Sequence, residues 1–258
     1  MGDRLADVTS IGIVGRGRAG ASLALAIARA GGRVESVSGR GVDPDITGRF
    51  DLVVLAVPDA AVAEVAARLT PRRACAVAHC SGSLGLDVLV PHQRVASIHP
   101  LASLPDPELG ADRLRGAWFA VSGDPVVGEI VELLGGRPFV VDDRHRAAYH
   151  AAAVVASNHL VALLGQVERL AAAAGVPVEA LGPLIEGSLA NAEQLGAAAA
   201  LTGPVARGDW DTVRRHLGAI DRSERATYLA LAVEAARLAG TTVPPDLGPP
   251  AVVPLPPT

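Results

Sequence analysis

The chain has 258 residues, of which 50% are hydrophobic and 19% charged, and its formal net charge is −4. That length holds one large domain or two modest ones, and a mildly acidic balance argues against nucleic acid or an anionic membrane as the main partner. All 23 basic residues are arginine, so Schiff-base chemistry on a lysine and a lysine general acid are both excluded.

In chain order, Ser10 to Val14 reads as a buried strand and runs into a glycine-rich turn. Ala19 to Ala30 follows as a helix with Leu23, Ile27 and Ala30 on one face. Arg33 to Ser38 and Asp51 to Val57 are the next strands, and Asp59 is read as the N-cap of a helix over Ala60 to Leu69. Further strands are expected at Ala74 to His79, Val95 to Ile98, Ala117 to Val121 and Pro138 to Val141, with a helix at Pro125 to Leu134. Such alternation implies an α/β domain with a largely parallel sheet covered on both faces. Near Asp142 the character changes. Arg146 to Ala174, Val178 to Gly196, Trp210 to Ile220 and Ser223 to Leu238 all read as helices. The expected organisation is therefore a Rossmann-type domain over 1–142, an all-helical domain over 143–240, and a tail over 241–258. That tail holds seven prolines in 18 residues and is expected to be extended rather than packed.

No stretch offers roughly 18 uninterrupted apolar residues for a membrane span. Met1 to Leu5 lacks the layout of a signal peptide, and Cys75 and Cys80 read as free thiols of a reducing compartment. A cytoplasmic protein is expected.

Gly15-Arg16-Gly17-Arg18-Ala19-Gly20 is GxGxxG between a strand and a helix. The first glycine permits the tight turn, the second lets backbone approach a pyrophosphate, and the third lets helix pack close to strand. Exposed N–H groups at the positive helix end then face the phosphates. The second strand ends in Ser38-Gly39-Arg40 without a carboxylate. A hydroxyl and a guanidinium suit a 2′-phosphate, so NADP is expected over NAD. Val57-Pro58 ends the third strand on the same edge, near the nicotinamide half.

These stretches, followed by a helical domain, resemble the 6-phosphogluconate-dehydrogenase-like superfamily. More narrowly, His79-Cys80-Ser81-Gly82-Ser83, His99-Pro100-Leu101, Tyr149-His150 to Ser157-Asn158, and Leu201 to Asp209 resemble a Rossmann-like family with a C-terminal domain of unknown function. The resemblance covers about residues 8 to 240. It implies an NADP-linked oxidoreductase acting on a small carbonyl acid, with ketopantoate as the leading substrate. Many members of the superfamily carry a lysine one turn before an asparagine. Here Asn158 aligns, but Val154 holds the lysine position.

Another acid must then serve, and histidine titrates nearest neutrality. His99 is expected in a loop at a strand's carboxyl end, where such sheets bind ligands. His150 and Asn158, eight residues apart on one regular helix, would differ in direction by about 80° and border one cleft. Arg207 is the choice for gripping a substrate carboxylate. Ser81 and Ser83 are candidates for cofactor or substrate contact and equally for turn residues, while His159 and His216 are weaker candidates. Asp209 reads as a helix cap, and metal binding is poorly supported. Two rival readings stand: a prephenate-type dehydrogenase, suggested by His99-Pro100, and a non-catalytic NADP sensor, suggested by the missing lysine. The apolar long helix is expected to pair with a twin in a homodimer.

Overall fold

A computed structural model describes residues 9–248 and divides the chain into two compact units, with the boundary between His159 and Leu160. The first unit is built on strands β1 (Ile11–Val14), β2 (Val34–Val37), β3 (Leu52–Leu55), β4 (Ala76–His79), β5 (Val95–Pro100), β6 (Trp118–Gly123) and β7 (Arg137–Val140). They form one sheet in the order β2-β1-β3-β4-β5-β6-β7. Its pairs are parallel except β5 with β6. Helices α1 (Arg18–Arg29), α2 (Asp59–Arg68), α3 (Pro107–Leu114), α4 (Val126–Leu133) and α5 (Arg146–Val154) complete the unit.

β1, β3 and β4 are buried along their whole lengths, which requires a cover on each face. Ile11, Ile13, Leu52 and Val54 share one core with Leu23 and Ile27 of α1, Leu114 of α3 and Ile130 of α4. Val14, Val53, Leu55 and Val77 share the opposite core with Val62 and Val65 of α2. The run before β6 also contains a helix absent from the sequence reading. Its signal was present in Asp106-Pro107, since Asp106 accepts from the N–H groups of Glu108 and Leu109 and proline stands in the first turn.

Four expectations need correction. β5 does not stop at Ile98: β6 pairs antiparallel with it as far as Pro100, so His99 lies within the strand opposite Ala120 rather than in a loop. The stretch from Arg146 is not one regular helix, because Val155–His159 is a π turn between α5 and α6 (Leu160–Ala173). The expected 80° between His150 and Asn158 therefore does not transfer, since i→i+5 bonding widens each turn it spans. Although polar side chains interrupt it, the helical run Asp143–Ala173 is long and apolar enough, by length and composition, to cross a membrane, with a mean hydropathy of 1.4 over an 18-residue window. Lastly, the beginning of the proline-rich segment is packed, as described next.

The second unit contains α6, α7 (Gly182–Leu195), α8 (Ala197–Ala200), α9 (Trp210–Ala219) and α10 (Arg225–Ala239). Its core gathers Val205, Trp210, Val213, Ala232 and Ala236. Leu247 is buried in that core and Val243 packs against it. Asp246 meanwhile holds Arg214 through two hydrogen bonds of 3.0 Å. A single leucine with a bidentate ion pair thus anchors residues 243–247; positions 249–258 lie outside the described residues. Arg169 grips the Glu224 carboxylate and Gln166 donates to the Glu224 carbonyl, fixing α6 to the start of α10.

Candidate active site

The glycine turn sits where the sheet order reverses. β1 pairs with both β2 and β3, which is the crevice where open α/β sheets take ligands. Gly15 has φ +122°, and a Cβ there would lie 2.3 Å from the Ala56 carbonyl oxygen, so no other residue fits. A Cβ on Gly20 would lie 2.2 Å from the Gly15 carbonyl oxygen, whereas one on Gly17 would meet nothing within 4 Å. The first and third glycines are thus packed by protein and the middle one faces open space. α1 begins after Gly17 with no side-chain cap and no acidic residue in its first turn, which leaves its N–H groups available to an anion.

Several arginines lie at this edge. The Arg16 guanidinium donates to the Ser36 carbonyl at 3.2 Å, placing its charge over the end of β2. Ser38 is partly engaged in its own turn, its hydroxyl accepting from the Arg40 N–H at 3.2 Å, and the Arg40 and Arg18 side chains are exposed. Gly39 approaches Val57 closely, so the ends of β2 and β3 meet beside the turn.

Farther along the same carboxyl edge, four segments build a polar pocket. The loop after β4 brings Ser81 and Ser83, whose hydroxyls both donate to Asp59 Oδ2, at 2.7 and 2.9 Å. Asp59 is therefore not the expected N-cap: α2 starts at Asp59 itself behind Pro58, and its carboxylate ties α2 to the loop. The Ser81 hydroxyl also accepts from the N–H groups of Ser83 and Leu84. Gly82 carries the loop past two imidazoles, since a Cβ there would fall 2.8 Å from His99 and 2.9 Å from His150. β5 contributes Ser97 and His99 on one face. α5 contributes Arg146, Tyr149 and His150, at the i, i+3 and i+4 positions that share a helix face.

Contacts within this pocket are specific. His99 Nδ1 is 2.6 Å from the Tyr149 hydroxyl, and the His99 and His150 rings meet edge to face with centroids 6.1 Å apart. Arg146 is only 2% exposed; it donates to Asp143 at 2.7 Å, to the Ser97 hydroxyl at 2.8 Å and to the Ser122 hydroxyl. His79, completely buried, accepts from the Ser81 N–H at Nδ1 and donates from Nε2 to the Gly85 carbonyl. Those partners fix it as a neutral tautomer that shapes the loop.

Burial sets the charge states. His99 is pushed down to about 4 by desolvation, reinforced by His150 and by the Arg146 cation and opposed by Asp59. Histidine chosen for titrating near neutrality is here held neutral. Burial raises the Tyr149 phenol to about 12, with Arg146 pulling the other way, and burial likewise lowers His79. The pocket at neutral pH therefore offers neutral donors over a buried guanidinium.

The remaining sequence candidates are placed as follows. Asn158 and His159 lie exposed in the π turn, and Asn158 Oδ1 accepts from the Ser157 hydroxyl at 2.8 Å. In the second unit Arg207 is exposed at the end of a 3₁₀ turn, where its backbone N–H donates to the Pro204 carbonyl and its guanidinium makes no hydrogen bond among the described residues. Asp209 caps α9 by accepting from the Thr212 N–H and hydroxyl. His216 is occupied by the Tyr228 hydroxyl at 2.6 Å. Tyr149 and Arg146 are the residues that sequence reasoning missed. An arginine, a tyrosine and a histidine at helical spacing on an alanine-rich segment were the available signal.

A family described as Rossmann-like domain matches residues 39–105, and a second, described as Domain of unknown function (DUF2520), matches residues 119–235. The two matches follow one another along the chain without overlap. His99 belongs to the first match and Tyr149 to the second, so their hydrogen bond links the two. No curated protein matches this sequence. An assigned NADP oxidoreductase of Bacteroides fragilis shares the fold at 20% identity and a TM-score of 0.74, over 89% of this chain and 98% of that one. Plasmodium falciparum pyrroline carboxylate reductase, solved with NADP bound, shares it at 13% identity and a TM-score of 0.60, over 90% and 98%. A reductive aminase of Aspergillus terreus, solved with NADPH, cyclohexanone and allyl amine, does so at 18% and 0.58, over 93% and 89%. The chain thus shares its fold with these three proteins.

Proposed function

We propose that this protein is an NADP-dependent oxidoreductase that reduces the carbonyl of a small acid, with ketopantoate the first substrate to test. The observation that carries the reading is one sheet edge holding both a glycine turn shaped for a pyrophosphate and a neutral histidine pocket. The NADP-linked descriptions of proteins with the same fold support it.

When bound, reduced NADP supplies the hydride for such a reduction. The residues at the turn fit the cofactor: backbone N–H groups of Arg18, Ala19 and Gly20 hold the pyrophosphate, and Arg16 and Arg40 hold the 2′-phosphate, with no acidic side chain at the tip of β2 to repel it. Val57, Pro58 and Ser81 flank the nicotinamide side. His99 presents a neutral donor to the substrate oxygen, and His150 and Asn158 orient the substrate. Arg207, in the second unit, is proposed as a carboxylate anchor on its chemistry alone. A homodimer belongs to the same reading, because Val155 and Val161, 55% and 67% exposed on the apolar helical run, need a cover that a second copy supplies.

The direct test is NADPH oxidation against a panel of 2-oxo acids beginning with ketopantoate. Turnover with at least one of them is expected. NADP reduction with a cyclic hydroxy acid instead would favour the dehydrogenase reading. Tight NADPH binding with no turnover on the whole panel would favour a sensor and overturn this one. Sedimentation is expected to show a dimer; a 26 kDa species alone would contradict that part.

A further inference from the structure

We propose that Tyr149 is the proton reservoir of this site, acting through His99, which relays the proton by exchanging tautomers without ever becoming charged. The inference rests on the reductase reading above and names how its proton reaches the substrate.

Geometry supplies the first reason. Tyr149 O–H has one partner among the described residues, His99 Nδ1. If the phenol donates, its only proton is satisfied and the imidazole proton stands on Nε2. If Nδ1–H donated instead, the phenol proton would be left without an acceptor. Phenol is also the stronger acid of the two neutral groups, so O–H···N is the favoured direction. Nε2 then makes no hydrogen bond among the described residues, and it is the ring edge that borders Gly82, where the loop has no side chain to cover it.

Electrostatics supply the second reason. The groups that face His99 are His79 from β4, Asp59 from the start of α2, and Arg146, Tyr149 and His150 from α5. Within that set the desolvated ring and the Arg146 guanidinium oppose an imidazolium, which removes the ordinary route for a histidine acid. The same guanidinium favours a phenolate at Tyr149. One cation thus disfavours charge on the histidine and favours it on the tyrosine.

The step balances. The cofactor's hydride forms the new C–H bond, the carbonyl π bond breaks, and its electron pair becomes an alkoxide. The alkoxide takes the Nε2 proton while Nδ1 takes the Tyr149 proton, leaving a neutral Nδ1–H imidazole and a phenolate beside Arg146. An alkoxide is a stronger base than a phenolate, so the transfer runs downhill. After product leaves, water gives a proton to Nε2 while Nδ1–H returns its proton to the phenolate, which restores the starting tautomer. Tyr149 itself touches His99 and is a positioning residue in this scheme.

Nitrogen-15 NMR of the wild-type protein reads the tautomer without any variant. An Nε2–H imidazole that persists unprotonated to about pH 5 is expected; an Nδ1–H imidazole overturns the relay. Tyr149→Phe removes the proton but keeps the ring packed on Phe139 and His99. It is expected to shift His99 toward a tautomer mixture and lower kcat by about 10²-fold, with KM within about threefold and NADPH affinity unchanged. It should also abolish the alkaline limb of the wild-type pH profile. Wild-type kcat in the variant, or an unmoved alkaline limb, would overturn the proposal. Failure of the wild-type protein to bind NADPH would sink the reductase reading instead, a result separable from the tautomer.

Discussion

The two ends of the sheet's carboxyl edge are built in opposite ways. At the glycine turn, six consecutive residues running from the end of β1 into the first turn of α1 make a backbone cradle, and the side chains matter chiefly by their absence. At the histidine pocket, Asp59, Ser81, His99, Arg146 and Tyr149 come from α2, the loop after β4, β5 and α5, and side chains do everything. The comparison teaches that a backbone site is set by local sterics and is insensitive to pH. A side-chain site assembled over a long stretch of sequence is set by burial and by the charge beneath it.

The largest effect that separates the two is steric. Gly15→Val places a branched side chain at φ +122° with its Cβ against the Ala56 carbonyl. A destabilisation of about 3 kcal/mol or more is expected by denaturant unfolding, together with loss of nucleotide binding. A stable variant that still binds NADPH would break the claim that this turn is sterically determined.

The pocket should instead respond to pH. Below about 6.5 the unfolded chain protonates His99, while the folded chain resists until about 4. His99 therefore contributes its full share of stability above pH 6.5 and loses it as pH falls toward 4, and buried His79 acts in the same direction. Tm is expected to drop on the order of 5 °C across that window, with a shallower slope in His99→Gln. Equal slopes in the two proteins would mean that His99 is not held neutral.

Arg16→Ala sharpens the contrast from the cofactor side. It is expected to cut the preference for NADPH over NADH about tenfold and to leave the pH dependence of stability unchanged, as read by calorimetric titration and by unfolding. The smallest effect belongs to Ser81→Ala, which removes one donor to Asp59 and one acceptor in the loop. About 1 kcal/mol of stability should go, read by denaturant unfolding.

How much of this the sequence made legible follows the same division. GxGxxG is contiguous, so the tight turn at Gly15, the close packing at Gly20 and the seven-stranded, mostly parallel sheet were readable from spacing and apolar runs. Asp59 was misread because an acidic residue after proline looks like a helix cap, and the two serines it binds lie more than twenty residues away. The position of His99 within β5 depended on an antiparallel partner, which no local pattern of Val95 to Ile98 reveals. Its depressed proton affinity depends first on burial in the folded unit and then on His150 and Arg146, about fifty residues distant. Packing of Leu247 was hidden by the prolines around it.

Isothermal titration of the wild-type protein with NADPH and with NADH, side by side, tests the central claim most directly. The account predicts saturable binding of NADPH at least about tenfold tighter than NADH. Neither nucleotide binding at millimolar concentration, or NADH binding the tighter, would contradict it.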